Sequence, residues 1–366
     1  MKNKLFSNVI GLMSGTSADG IDVSVVNTNG ETLSRTNQNL IYPYSEKVKK
    51  EIRFTMSNPI VLKTEKEFIN QLEVDLTQEH INAVNFIIKT FKIKPSIIGF
   101  HGQTVFHDAS KKKSIQLGDG KLLSEKTGCK VVYDFRSLDI RNGGEGAPLA
   151  PIYHKCILNK LFNDKPNCFL NIGGVSNLSY IDKELILGFD TGPGCGLMDQ
   201  YIQLQCGKEF DENGKLASFG KPNEEFIHKL MQKPYFIKNP PKSLDKLDFK
   251  SIFRENDFLK LNIKDGMATL CEFTAESISL SIKNLIHKPN IILVAGGGRH
   301  NKFLLNRINK KTNINIVTSD QYNINGDYIE AELIAYLAIR HLNNLPSTFP
   351  STTGTRYPTI CGKIAE

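Results

Sequence analysis

Alternating strand and helix signals over 366 residues predict an α/β protein of two domains. A chain of this length outgrows one ordinary hydrophobic core, which favours two α/β domains of similar size. Two turns rich in glycine, aspartate and hydroxyl residues mark the halves: Gly11-Leu12-Met13-Ser14-Gly15-Thr16-Ser17-Ala18-Asp19-Gly20-Ile21-Asp22 near the start, and Gly188-Phe189-Asp190-Thr191-Gly192-Pro193-Gly194 past the middle. Each follows a short β-type run and carries an acid that a divalent metal or a nucleophile could use.

β-branched residues dominate 9–13 and 22–26, and the connection between them is rich in Gly, Ser and Thr, so these runs predict a hairpin. Ile81, Val84, Ile87, Ile88 and Phe91 keep helical spacing and predict a helix over 81–91. A buried strand over 97–100 ends at His101-Gly102-Gln103-Thr104, and a short strand covers 131–133. Beyond Asp134-Phe135-Arg136, the glycine-rich passage over 142–151 suits a hinge or a ligand loop better than an element interior. The domain boundary is expected there, with 1–137 as the first domain, 138–345 as the second, and 346–366 as a tail packing back on the first. In the second half, 168–172 and 185–189 are expected to pair as a hairpin. A long helix is expected over about 267–286, with Met267, Leu270, Thr274, Ile278, Ile282 and Leu285 on one face. A strand over 291–295 runs into Gly296-Gly297-Gly298, and a last helix covers 328–342. The halves repeat an architecture rather than a sequence.

The formal charge of +8 arises from 46 basic and 38 acidic residues spread along the chain. The one basic cluster, Lys111-Lys112-Lys113, lacks interleaved aromatics, which argues against a nucleic-acid partner and leaves an anionic small molecule open. No stretch approaches the ~18 apolar residues of a membrane span, and no apolar signal region follows the N-terminus, so a cytoplasmic protein without a membrane partner is expected. The 7 cysteines form no C-x-x-C pair and support neither a disulfide framework nor a zinc site. A homodimer stays open.

The loops suggest ATP chemistry. Backbone N–H groups and hydroxyls of Gly15, Thr16, Ser17 and Gly20 could approach phosphate oxygens, while Asp19 or Asp22 could hold Mg²⁺; an ordinary Asp-Gly hairpin turn would also satisfy the pattern. No G-x-x-x-x-G-K-[ST] motif occurs, which disfavours a P-loop enzyme. Asp190 suits a general base on a water or hydroxyl nucleophile, or a turn aspartate bonding its own backbone. Gly296, Gly297 and Gly298 would let a nucleotide approach a helix start, or simply make a tight turn. His101 and Gln103 read as structural or ligand residues. Arg136 suits bidentate recognition of a carboxylate or phosphate, or a salt bridge to Asp134 or Asp139. Asp327-Tyr328-Ile329-Glu330 matches a helix-capping box, which alone would explain Glu330.

These motifs, with His101-Gly102-Gln103-Thr104-Val105-Phe106-His107, Gly143-Gly144-Glu145-Gly146-Ala147-Pro148-Leu149, Asn171-Ile172-Gly173-Gly174-Val175-Ser176-Asn177-Leu178 and Glu330-Ala331, resemble the anhydro-N-acetylmuramic acid kinase family, in the family's order and over nearly the whole chain. The resemblance implies two actin-like (ribonuclease H-like) domains with an interdomain cleft for ATP and sugar. It implies an ATP- and Mg²⁺-dependent kinase that hydrolyses the 1,6-anhydro bridge of 1,6-anhydro-N-acetylmuramic acid and phosphorylates O6, in cell-wall recycling. Carried over, Asp190 would be the base that activates water, residues 15–22 the phosphate loop with Asp19 and Asp22 at Mg²⁺, and Gly296–Gly298 nucleotide contacts. His101, Gln103, Arg136 and Glu330 would line the sugar site, with Arg136 on the lactyl carboxylate. Ala18, Cys195, Ser137-Leu138 and the segment from Lys242 to Lys246 depart from the family pattern without removing a proposed catalytic group. A same-fold kinase for an ordinary hexosamine, and a non-catalytic nucleotide-binding assembly or sensor protein, are the alternatives.

Overall fold

The computed structural model describes residues 5–15, 17–162, 165–244 and 249–366. They divide into two compact units, Met1–Lys160 with Asp327–Glu366, and Leu161–Gly326.

In the first unit, β1 (Phe6–Ser14) and β2 (Gly20–Thr28) pair antiparallel, and β3 (Leu33–Pro43) pairs antiparallel with β2. The helix Lys66–Phe91 leads to β4 (Ile97–Asp108), parallel to β1. β5 (Lys113–Leu117) folds back on β4, and the helix Gly120–Thr127 leads to β6 (Val131–Tyr133), parallel to β4. The closing strand Lys363–Ala365 pairs antiparallel with β6. Ile10, Leu12, Val23, Val25, Leu76, Val84 and Ile98 form part of this unit's core.

The second unit repeats the plan. β7 (Asn167–Ile172), β8 (Val175–Asp182) and β9 (Leu185–Pro193) make an antiparallel meander. β10 (Ile291–Ala295) lies parallel to β7, and β11 (Asn315–Thr318) parallel to β10. The order β9-β8-β7-β10-β11 matches β3-β2-β1-β4-β6 in both sequence and strand direction. The helix Ile263–Lys283 crosses through this unit's core, buried on most sides, and Asn262 caps it by accepting from the amides of Lys264 and Asp265.

Several expectations change. The residues over 168–172 and 185–189 do not pair with each other, because β8 lies between them; Ser176, Asn177 and Ser179 hide its apolar alternation. β4 and β9 run on past their expected ends, so His101, Gln103 and Asp190 lie within strands. The helix expected over 81–91 begins at Lys66, since Leu72, Leu76 and Thr77 continue its buried face. The boundary falls near 160 and 327 rather than at 137 and 345. Tyr153 explains the first shift: it accepts from Arg35 Nη2 at 3.0 Å and donates to Glu332, binding the helix Pro151–Leu161 to β3 and to the helix Ile329–Leu342. Two glycines explain the second. Gly11 and Gly99 are register partners on β1 and β4, and a Cβ would lie 1.9 Å from the Ala331 carbonyl oxygen at Gly11 and 2.4 Å from that of Ile334 at Gly99. The last helix therefore lies directly on the first unit's sheet, a closeness that only glycine permits.

Candidate functional site

The β1–β2 hairpin carries the first loop. Ala18 turns it at φ 55°, with its amide donating to the Gly15 carbonyl at 3.1 Å and its side chain fully buried. The methyl group of alanine suits this buried, left-handed position, where a larger side chain would need more room. Thr16 lies outside the described residues. Behind the loop a polarised chain is fixed by tautomer: His80 Nδ1 donates to the Leu76 carbonyl at 2.9 Å, which leaves Nε2 to accept from the Ser14 hydroxyl at 3.2 Å, and Ser14 accepts from Tyr44 at 2.7 Å. Burial holds the His80 pKa down to about 4, so the imidazole is neutral.

Gln103 belongs to this support. Its Nε2 donates to the Gly15 carbonyl at 3.1 Å, and its side chain is fully buried. That contact fixes the phosphate-loop candidate from behind. Asp19 is an exposed carboxylate paired with Lys49 at 2.8 Å and Arg53 at 2.9 Å, and Arg53 also donates to the Ser17 carbonyl. Asp22 differs. Burial, then Glu330 and Asp327, push its pKa up to about 7, so three acids share one region of the first unit. Glu330 lies in the first turn of the last helix, whose N-cap position is Tyr328 rather than Asp327.

β4 takes up an extra residue between its pairings Leu12↔Phe100 and Ser14↔Gln103, with Gly102 at φ 73°. Bulges of this kind re-aim side chains. The His101 ring donates from Nδ1 to the Gly102 carbonyl at 2.8 Å, and its Nε2 accepts from Arg136 Nε at 3.1 Å and Nη2 at 2.9 Å. Burial and the adjacent guanidinium pull the His101 pKa down to about 3. Arg136 also donates from Nη1 to the Gly146 carbonyl at 2.6 Å, and burial lowers its pKa only to about 10, so it stays charged. Neither expected salt bridge forms. Asp134 pairs with Lys363 at 2.6 Å, while Asp139 accepts from the Gly146 amide and from Thr353. Among the described residues no carboxylate makes an ion pair with Arg136.

In the second unit Asp190 sits on β9 beside a bulge, between the pairings Asn177↔Asp190 and Ser176↔Gly192. A neighbouring segment grips it. The Asp190 amide donates to the Lys242 carbonyl at 3.0 Å, its carbonyl accepts from the Tyr235 hydroxyl at 2.6 Å, and its Oδ2 accepts from the Leu244 amide at 2.8 Å. Lys242 Nζ lies over the Tyr235 ring and donates to its carbonyl. Within the same unit a cavity of about 620 Å³ is lined by Gly173, Gly174, Gly297 and Gly298 together with Ile172, Met198, Asp199 and Phe210. A Cβ on Gly296 or Gly298 would strike Asn171 or Ile172, whereas around Gly297 nothing lies within 4 Å. Backbone can therefore approach a ligand closely here. The β7–β8 loop, Gly173-Gly174, is the counterpart in this unit of the Gly15 loop in the first.

The sequence reading does not assign site roles to Gly173, Gly174, Asp199 or Tyr235. A glycine pair between two β-type runs was the available signal for the first two. Nothing in the sequence marks the others, because their roles depend on neighbours remote along the chain.

Two copies of one half-fold define a two-domain protein of actin-like fold. A sequence model of the anhydro-N-acetylmuramic acid kinase family matches residues 7–366. The chain belongs to that family. It is similar to the anhydro-N-acetylmuramic acid kinase of Zymomonas mobilis, 39% identical over 97% of this chain and 98% of that protein, and to that of Pelagibacter ubique, 38% identical over 99% of each. The PilM-PilN type IV pilus biogenesis complex also resembles it, at 12% identity, 91% and 98% coverage and a TM-score of 0.47. Among the described residues no helix is long and apolar enough to cross a membrane.

Proposed function

We propose that this protein is an ATP-dependent kinase that opens the 1,6-anhydro bridge of 1,6-anhydro-N-acetylmuramic acid and phosphorylates O6, giving N-acetylmuramic acid 6-phosphate and ADP in cytoplasmic peptidoglycan recycling. Family membership over nearly the full chain supports the substrate. The observation that carries the chemistry is the three-point grip on Asp190, since a general base must be held in position to be effective.

In this reading Asp190 takes a proton from water as the water oxygen bonds to C1. The C1–O6 bond breaks, O6 bonds to the γ-phosphorus, and the bond from that phosphorus to the bridging oxygen of ADP breaks. Arg136, charged and without a carboxylate ion pair among the described residues, takes the lactyl carboxylate, and the neutral His101 orients it by accepting two of its N–H groups. Glu330 is assigned to the sugar. Gln103 acts behind the Gly15 loop rather than on the sugar. The Gly15 and Gly173-Gly174 loops are assigned to phosphate, and Gly297 and Gly298 to the nucleoside.

Among the described residues no group of three or more acids, histidines or cysteines forms a ready metal cage; Asp22, whose carboxyl pKa is raised first by burial and then by Glu330 and Asp327, is the acid left to meet a divalent cation. Asp19 fits less well, because Lys49 and Arg53 already neutralise it. Mg²⁺ held there would offset phosphate charge.

Purified protein is expected to consume ATP with 1,6-anhydro-N-acetylmuramic acid and to release the 6-phosphate, identified by mass spectrometry. Equal turnover of N-acetylglucosamine or N-acetylmuramic acid would instead favour an ordinary hexosamine kinase. ATP binding without turnover of any sugar would favour an assembly or sensor protein.

A further inference from the structure

We propose that Asp199 reads the ribose of the nucleotide, accepting a hydrogen bond from its 2′- or 3′-hydroxyl; this rests on the nucleotide assignment of the second-unit cavity. The other polar side chains around that cavity are either committed or at its rim. Asp211 accepts from the amides of Leu216 at 2.8 Å and Ala217 at 2.9 Å, and Asn301 accepts from the Leu304 amide at 3.0 Å. Glu212, Asn213 and His300 are exposed. Asp199 is partly buried, and no hydrogen-bond donor or cation among the described residues reaches its carboxylate. Burial alone raises its pKa, to about 6, leaving it mainly ionised at neutral pH and in need of a donor.

Its position selects the donor. The helix Gly196–Cys206 starts against the glycine hairpin: the amides of Gly194 and Gly196 donate to the Gly174 carbonyl at 3.0 and 3.2 Å, and that of Cys195 to the Gly173 carbonyl at 2.7 Å. The Asp199 amide donates to the Cys195 carbonyl at 2.9 Å, so Asp199 lies one helical turn, ~5 Å, beyond Cys195, which itself is bonded to the glycine hairpin assigned to phosphate. In a nucleoside triphosphate the ribose adjoins the phosphates and presents two hydroxyl donors, which match an acceptor-only carboxylate. Ile172, Met198 and Phe210 line the same cavity and supply apolar surface for the base.

Calorimetric binding of ATP, 2′-deoxy-ATP and 3′-deoxy-ATP tests this without turnover. The wild type is expected to bind ATP about 10-fold or more tightly than at least one deoxy analogue, the range for a hydrogen bond to a charged group. Asp199→Ala is expected to bind ATP no better than that analogue while binding the analogue itself as the wild type does. The second result also verifies that the variant is folded. Equal binding of all three nucleotides by the wild type, or discrimination retained in Asp199→Ala, overturns the ribose assignment while leaving the kinase reading intact. Failure of the wild type to bind any of the three overturns the nucleotide reading itself.

Discussion

The Tyr235 hydroxyl donates to the main-chain carbonyl of Asp190 at 2.6 Å, while the Leu244 amide holds Oδ2 of the same residue at 2.8 Å. A segment more than forty positions along the chain thus fixes both the backbone and the carboxylate of the proposed base. Asp190→Asn keeps the shape but removes the base, so kcat is expected to fall by roughly 10³-fold or more with ATP affinity unchanged, read by steady-state kinetics and calorimetry. Tyr235→Phe removes only the positioning bond. Its expected signature is a kcat loss of roughly 5- to 30-fold with KM for both substrates near wild type.

Arg136 spends two nitrogens on His101 and one on Gly146, a fork that lysine cannot reproduce. Arg136→Lys is expected to raise KM for 1,6-anhydro-N-acetylmuramic acid about 10-fold or more. Turnover of 1,6-anhydro-N-acetylglucosamine, which lacks the lactyl carboxylate, is expected to change little. An equal loss on both sugars would remove Arg136 from carboxylate recognition.

Asp22 supplies a pH signature. Its carboxyl is raised to about 7 in the folded protein, against roughly 4 when unfolded, so between these values the folded state binds the extra proton. The stability linked to this proton is complete below pH ~4 and is lost as pH rises through about 7. Asp22→Asn abolishes that loss. The difference in Tm between variant and wild type, measured by calorimetry from pH 4 to pH 8, is expected to grow in favour of the variant as pH rises.

Gly11 gives a packing test. A methyl group there would lie 1.9 Å from the Ala331 carbonyl oxygen, whereas at Gly297 it would meet nothing within 4 Å. Gly11→Ala is expected to lower Tm by several degrees or to yield insoluble protein, through displacement of the helix Ile329–Leu342. Gly297→Ala is expected to unfold as the wild type does in the same thermal scan.

The sequence by itself determined the α/β class, the first hairpin, the strand over 291–295, the last helix and the family. Each rests on local signals: β-branched runs, helical spacing, and glycine or aspartate at turns. The sequence reading also singled out Asp190 and Arg136, because acids and guanidinium groups beside glycine-rich turns are conspicuous in one dimension. Tertiary structure decided what those groups touch. β8 was hidden by Ser176, Asn177 and Ser179, polar residues that break its apolar pattern; Ser176 and Ser179 are buried only once the sheet forms. The domain boundary moved because Gly11 and Gly99, far apart in the chain, become neighbours only through strand pairing and together admit the last helix. Gln103 donates to the Gly15 carbonyl behind the first loop, and Asp19 pairs with Lys49 and Arg53. Hydrogen bonds and charges act over a few ångströms regardless of sequence separation, so only the folded chain shows which polar groups satisfy each other and which remain for a ligand.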